Sequence, residues 1–371
     1  MVQGGAIHVS TPFVPQELID YIIDAVQGDG PTLKRCSLVG KAWLPRCSRA
    51  IFHSFRISGL PTVSSLSNFS HFLISSPRIS VSIRSLELYF AHEFLAPLGA
   101  LITHLQLLES LTLTGVDLVE GSFHLTSVPE CTGRSLKLLS ASRLPMDTIS
   151  HVQHLFAAVD SLQISSCTRG LHGIISHVVR ELVVHIHGTD ALEGLAKLVD
   201  PTTLQSLVLD LSATYYHGVD LTAVDAFLRV VGAHLKHLEY IHAAAGWLSS
   251  PIDLPGLQAC SELRSIVMRA PQSIPFNHNL WLETVALLAF IPRQTSQVKL
   301  ATACKTAKVV VQAMPWDAVG AALEHCDSLD DLRITVFDFE SEAIPPAEYF
   351  FACEVILQKL PRRLSRVTHF V

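Results

Sequence analysis

The sequence is short of charge: across 371 residues, Asp, Glu, Lys and Arg together make up 16%, against about a quarter in an ordinary soluble chain. With 49% hydrophobic residues such a chain buries apolar surface and folds, which excludes a disordered tail or linker. It lacks a cationic excess too. The 27 Lys and Arg against 33 Asp and Glu leave a net charge of −6, so the field that a nucleic-acid backbone requires is missing. No apolar run approaches the roughly 18 residues of a membrane span. The opening MVQGGAIHVS has neither the basic and apolar segments of a signal peptide nor the Met-Gly of a myristoylation site. The expectation is a protein of the cytoplasm, the nucleus or both, off the membrane and off nucleic acid.

No two of the eight cysteines stand closer than 11 positions, which excludes a CxxC metal clip and a dense disulfide frame and leaves reduced, buried thiols. Also missing are the GxSxG elbow, the GxxxxGK[ST] loop, HExxH and GxGxxG, so nothing supports a nucleophile, a phosphate cradle or a dinucleotide site. No enzymatic activity and no cofactor are expected. His185-Ile186-His187 is the best-placed pair for a metal, since alternate strand residues put both imidazoles on one face about 7 Å apart, but a third ligand is not identifiable and no metal site is expected.

What is present begins with three short amphipathic helices within 13–53. In Val14-Pro15-Gln16-Glu17-Leu18-Ile19-Asp20-Tyr21-Ile22-Ile23-Asp24, Pro15 suits a helix start, Glu17 favours the positive end of the dipole, and apolar residues recur at three and four. The run Gly28-Asp29-Gly30-Pro31 stops the helix; Thr32 can cap a second one carrying Leu33, Cys36, Leu38 and Val39. A third starts near Lys41, provided that Pro45 lies in its first turn. So small a unit cannot bury all of these groups by itself, and part of its surface must meet the rest of the chain or another protein.

These residues resemble the F-box motif: the Pro-x-Glu-Leu opening at Pro15, the Cys36-Ser37-Leu38-Val39 run and the single Trp43 are its marks, with Val14 where a leucine usually stands. The form Ala42-Trp43-Leu44-Pro45-Arg46 is similar to F-box proteins of mushroom-type fungi. The resemblance implies a Skp-type adaptor as partner, and through it a cullin and a RING ubiquitin ligase. It implies Pro15, Leu18, Ile22, Leu33, Cys36, Leu38, Val39 and Trp43 as the adaptor-facing residues.

Behind this unit one phrase returns, an apolar residue two before another: Leu86/Leu88, Leu111/Leu113, Leu136/Leu138, Leu162/Ile164, Leu182/Val184, Leu207/Leu209, Leu238/Tyr240, Ile266/Met268, a weaker Val298/Leu300, and Leu332/Ile334, on average about 27 residues apart. Period two marks each as a strand, and the gaps hold helical patterns such as Leu192, Leu195, Leu198 and Val224, Phe227, Val231. This looks like an irregular leucine-rich-repeat array: an α/β fold in which the helical unit precedes a right-handed solenoid with parallel strands on its concave face. The expected division is the helical domain at 13–53, a linker strand and first helix at 54–79, the solenoid at 80–345 and a capping helix and tail at 346–371. The repeat count between 266 and 332 stays open.

If the phrase residues point inward, their neighbours line the concave face: Glu87, Tyr89, Lys137, Gln163, His185, His187, Asp210, Glu239, Arg269 and Arg333. This mixed-charge strip suits a protein or peptide better than a polyanion. Together the readings point to a substrate-recruiting subunit of a Skp/cullin/F-box-type ubiquitin ligase that holds an unnamed target protein. The alternative is a repeat scaffold unconnected with ubiquitin, whose helical unit serves its own stability.

Overall fold

The computed structural model describes residues 14–57, 63–90, 95–115, 133–167, 176–185, 191–212, 221–242, 254–269, 284–304, 314–338 and 346–370; His187 lies outside them. Three helices come first, α1 (Gln16–Ala25), α2 (Gly30–Cys36) and α3 (Leu44–Ile51). The cap of α2 is Asp29 rather than the expected Thr32. Its carboxylate accepts from the Thr32 N–H at 3.1 Å and from the Thr32 hydroxyl at 2.5 Å, which satisfies an orphan donor of the first turn. Helix α3 starts at Leu44, later than Lys41, and Pro45 falls in its first turn, where its missing N–H costs nothing. Ile19, Ile23, Leu33 and Cys47 close a small core, with Val26, Cys36, Trp43, Ala50 and Ile51 half-buried around it. This core shares no residue with the large one behind it.

Twelve strands then form one sheet in strict sequence order: β1 (Ser54–Ile57), β2 (Ser85–Phe90), β3 (Ser110–Gly115), β4 (Ser135–Ser142), β5 (Ala158–Ser165), β6 (Val179–His185), β7 (Ser206–Asp210), β8 (His237–Ile241), β9 (Ser265–Arg269), β10 (Gln297–Cys304), β11 (Asp331–Asp338) and β12 (Thr368–Phe370). Every pairing is parallel. All ten phrases fall on strands, β2 to β11. Two strands extend the sheet beyond them. Segment 54–57 pairs with β2 and is its first strand, not a linker, and the tail ends in β12 against β11.

Between the strands stand α4 (Val63–Ser75), α5 (Pro77–Ser80), α6 (Leu95–His104), α7 (Met146–Gln153), α8 (Leu192–Leu198), α9 (Leu221–Val231) and α10 (Trp316–Leu323), with α11 (Pro346–Lys359) and α12 (Arg362–Val367) near the end. They cover one side of the sheet. Leu98 and Leu101 of α6, Ile149 and Val152 of α7, Leu195 of α8, Phe227 of α9 and Trp316 and Val319 of α10 join the inward strand residues in one continuous core. Removing each Leu, Ile or Val from water stabilises by roughly 1.5–3 kcal/mol, and a repeat completes its cover only when its neighbour stacks on it. Ala352 and Ile356 of α11 and Leu360 just after it face this core, whereas Phe350 is 70% exposed.

The repeats are locked at the strand entries by a recurring hydrogen bond. Two consecutive N–H groups donate to one carbonyl of the previous repeat: Arg84 and Ser85 to His53, Glu109 and Ser110 to Arg84, Lys137 and Leu138 to Glu109, Arg264 and Ser265 to Lys236, Ser296 and Gln297 to Arg264. The first inward residue follows two positions after the first of each pair, as Leu86 follows Arg84 and Leu111 follows Glu109. This phase corrects β4. Leu139 and Ala141 pair with Leu111 and Leu113, while Leu138 lies beside Ser110 and is only half-buried. Lys137 is therefore an entry residue and leaves the expected lining; of the phrase Leu136/Leu138, Leu136 is buried as expected, but the inward alternation runs on from Leu139 to Ala141 and not through Leu138.

Candidate interaction surfaces

Two surfaces stand out, one on the helical unit and one on the side of the sheet that the helices leave bare. Helix α1 is apolar on two sides. Ile19 and Ile23 point into the small core, while Leu18, Tyr21 and Ile22 are exposed, as is Val14 before the helix. Leu38 and Val39, in the turn after α2, are 85% and 66% exposed, and Leu44 at the start of α3 is also exposed. Of the residues expected to face an adaptor, Pro15, Leu18, Ile22, Leu38 and Val39 are exposed and Cys36 and Trp43 are half-buried against the core. Leu33 is 1% exposed. It holds the three helices together and is out of reach of a partner. The Arg46–Asp24 ion pair, at 2.6 Å, ties α3 to α1 on the polar side.

The register arranges the bare face of the sheet in rungs, one residue per strand at about 4.8 Å spacing. From β2 to β5 the face is hydroxyl-rich: Ser110, Thr112, Thr114, Ser140, Ser142, Ser161 and Ser165 flank Gln163. Glu87 there accepts an ion pair from Arg56 of β1 at 2.6 Å, and Tyr89 is exposed. Across β6 and β7 the middle rung turns aliphatic, with Val183 beside Val208, and Val267 recurs on β9 beyond Glu239. From β9 to β12 it becomes cationic: Val267 is followed by Lys299, Arg333 and His369. Glu87, Tyr89, Gln163, His185, Asp210, Glu239, Arg269 and Arg333 thus all lie on this face. Lys299, Val183 and Val208 were missed. The alternation that places Lys299 is visible in Val298-Lys299-Leu300, a copy that reads as weak for want of a preceding serine.

Most charges on the face answer one another. His185 Nδ1 and Asp210 Oδ2, opposite each other in the β6–β7 register, lie 2.8 Å apart. Burial pushes the Asp210 carboxyl up, but the hydroxyl and N–H of Ser212, together with His185, outweigh it and hold the group below its usual range. Arg333 Nε sits 2.9 Å from Asp331 Oδ2, and Arg269 Nε 2.8 Å from Glu239 Oε1. The Arg269 N–H is not aimed at that oxygen and makes no hydrogen bond among the described residues, so this pair is coulombic. Lys299 has no acidic partner among the described residues.

Nothing in the described residues assembles a metal centre: no group of three or more His, Cys, Asp or Glu could hold an ion. Cys36, Cys47, Cys167, Cys260, Cys326 and Cys353 are free thiols, and burial pushes that of Cys260 up to about 12, which makes it inert at neutral pH. No helix among the described residues is long and apolar enough to cross a membrane.

Fold and surfaces together define a leucine-rich-repeat-like parallel solenoid carrying a separate helical unit at its front. No family model matches the chain, and no curated protein matches it. Among solved structures it is similar to a protein from Bacteroides fragilis, at a TM-score of 0.40 and 10% identity over 79% of this chain and 76% of that one. It is also similar to the leucine-rich repeat-containing protein LegL7 from Legionella pneumophila, at a TM-score of 0.33 and 15% identity over 87% and 78%. The solenoid assignment rests on the chain's own strand register.

Proposed function

We propose that the chain is a substrate-recruiting subunit of a Skp/cullin/F-box-type ubiquitin ligase, with the helical unit docking the adaptor and the bare face of the sheet holding a target protein. One observation carries this reading. The helical unit has already closed its own core on Ile19, Ile23, Leu33 and Cys47 and still exposes Leu18, Ile22, Leu38 and Val39. A helix apolar on both sides needs two covers, and exposed apolar groups concentrated on so small a unit mark a protein contact. The resemblance of the same stretch to an F-box says which contact. A parallel sheet is ordinarily covered on both faces; here one carries no helix among the described residues, the arrangement by which solenoids bind partners. In this role the chain carries no catalytic site, metal or cofactor and works by raising the effective concentration of target near a charged conjugating enzyme. Its place is the cytoplasm, the nucleus or both.

The test is co-purification of the full chain with a Skp-type adaptor. The reading expects a stoichiometric complex with the unaltered chain and loss of it when Leu18→Asp and Ile22→Asp are combined; both positions are exposed, so the fold should survive, as circular dichroism would check. Capture that persists in this variant would remove the docking assignment. The second reading, a scaffold outside the ubiquitin system, is favoured by the continuity of α3 into β1, where the His53 carbonyl accepts from Arg84 and Ser85, which makes the helical unit also a cap on the first repeat. It expects a monodisperse chain that ignores the adaptor.

A further inference from the structure

We infer that the bare face between β6 and β12 recognises an extended acidic segment of the target, anchored by an aliphatic residue. This rests on the reading above that the face holds a target, and names what it would hold.

The cationic end of the face is costly to the fold on its own. Lys299 and Arg333 are nearest neighbours across β10 and β11, and like charges directly opposite each other destabilise a sheet. Arg269 stands two residues further along β9 than Val267, the residue that pairs with Lys299, so Lys299 lies between two arginines. Glu239 and Asp331 balance Arg269 and Arg333 in charge, which leaves Lys299 without a counter-ion among the described residues and the Arg269 Nε–H without an acceptor. A carboxylate supplied from outside would neutralise Lys299 and remove the repulsion, whereas the Arg269 Nε–H is sealed from solvent and is not reached by it.

Spacing decides among anions. Arg269, Lys299, Arg333 and His369 spread across β9 to β12, three strand intervals or about 14 Å. A single phosphate cannot reach across that width, but a run of carboxylates on an extended chain can. Toward β6 the same rung passes to the half-buried Val183 and Val208, an aliphatic floor for one apolar side chain. From Val208 on β7 to Lys299 on β10 is again about 14 Å, or four residues of extended chain at roughly 3.4 Å each. The ligand is therefore an aliphatic residue followed, about four residues on, by several Asp or Glu.

The experiment uses the full chain and a fluorescein-labelled synthetic peptide of about ten residues, sized to that span: Leu-Val, a Gly-Ser spacer, then Glu-Asp-Glu. It is made also in reversed order, with Gln-Asn-Gln, and with one phosphoserine in place of the acidic run. Fluorescence anisotropy is expected to show the acidic peptide, in one of its two orders, binding at least tenfold tighter than the amide version. Lys299→Glu should abolish that preference while the thermal midpoint holds or rises, because the substitution removes the repulsion from Arg333, and Lys299→Gln should reduce it. Equal binding of acid and amide peptides, binding of neither, an unchanged preference in both variants, or tightest binding of the single phosphoserine would each overturn the inference. Adaptor capture is measured on the same preparations, so loss of peptide preference with capture intact counts against the acidic ligand alone, and loss of capture with the preference intact counts against the adaptor reading alone.

Discussion

Lys137 Nζ lies 2.9 Å from Glu109 Oε2, and the other oxygen of that carboxylate lies 2.7 Å from Arg84 Nη1. Arg84 and Glu109 stand just before β2 and β3 and Lys137 near the start of β4, and the alternation continues with Arg180 3.3 Å from Asp160. Positive and negative side chains in consecutive repeats thus pin the register at the edge where each strand begins. The hydrogen bond from Lys137, and then the charges of Lys137 and Arg84, hold the Glu109 carboxyl below its usual range against a slight opposing effect of burial. A carboxylate with a lowered folded pKa stabilises above its unfolded value and loses that contribution as pH falls through the folded one. Because Glu109 and Arg84 are about a third exposed and Lys137 is 69% exposed, solvent screening keeps the effect small: Glu109→Gln is expected to cost about 0.5–1 kcal/mol at neutral pH. Urea denaturation checks it, and the difference from the unaltered chain should shrink in about 1 M salt and as pH falls below 4.5 toward the lowered folded value. A cost that ignored salt would mean that the ladder stabilises by packing.

The corrected phase of β4 makes a sharper prediction. Leu139 is fully buried between Leu111 and Leu162, whereas Leu138 sits half-buried on the bare face beside Ser110 and Ser161. Leu139→Ala leaves a cavity and should cost about 2–5 kcal/mol. Leu138→Ala should cost less than about 1.5 kcal/mol, since its site opens to solvent. Equal losses in chemical denaturation would contradict the placement of the two neighbours on opposite faces.

That misphasing shows what was legible in the chain and what was not. Strand and helix periods differ, so Leu207/Leu209 and Val224/Phe227/Val231 declared their elements, and the order of the sheet followed from them. Phase within a strand was harder. Leu136-Lys137-Leu138-Leu139-Ser140-Ala141 contains overlapping alternations, and only the hydrogen bonds from Lys137 and Leu138 to the Glu109 carbonyl decide between them. On α1, Leu18-Ile19 and Ile22-Ile23 put two apolar stripes side by side, so that something must remain uncovered was readable, but which stripe was not. Leu33 was assigned outward on the resemblance alone, and its 1% exposure places it in the core. The charge ladder was hidden because its members stand 20 to 28 residues apart and belong together only once the strands are in register.

His177 offers a test in a pH range where the carboxylates are silent. Two residues before β6, it pairs with Val199, the residue that follows α8, as an isolated parallel bridge, and only 9% of its surface is exposed. Burial first, and then the charge of His154, whose ring stands edge-on at 5.8 Å between centroids, bring its pKa down from 6.5 to about 4, against a hydrogen bond to the Ser150 carbonyl that favours the proton. Below 6.5 the unfolded chain takes up a proton at this residue and the folded chain does not. Stability is thus complete above pH 6.5 and falls as pH drops toward 4, by an amount on the order of 2–3 kcal/mol for one such group. The lowered carboxyls of Glu109 and Asp210 contribute their own losses only below about 4.5. His177→Asn can keep a donor for Ser150 and cannot titrate, so it should flatten the fall in denaturation free energy between pH 7 and pH 5 whatever it costs at neutrality. A variant that loses as much over that interval as the unaltered chain would mean that His177 accepts its proton in the folded state, and that the ring is not closed off beneath α7.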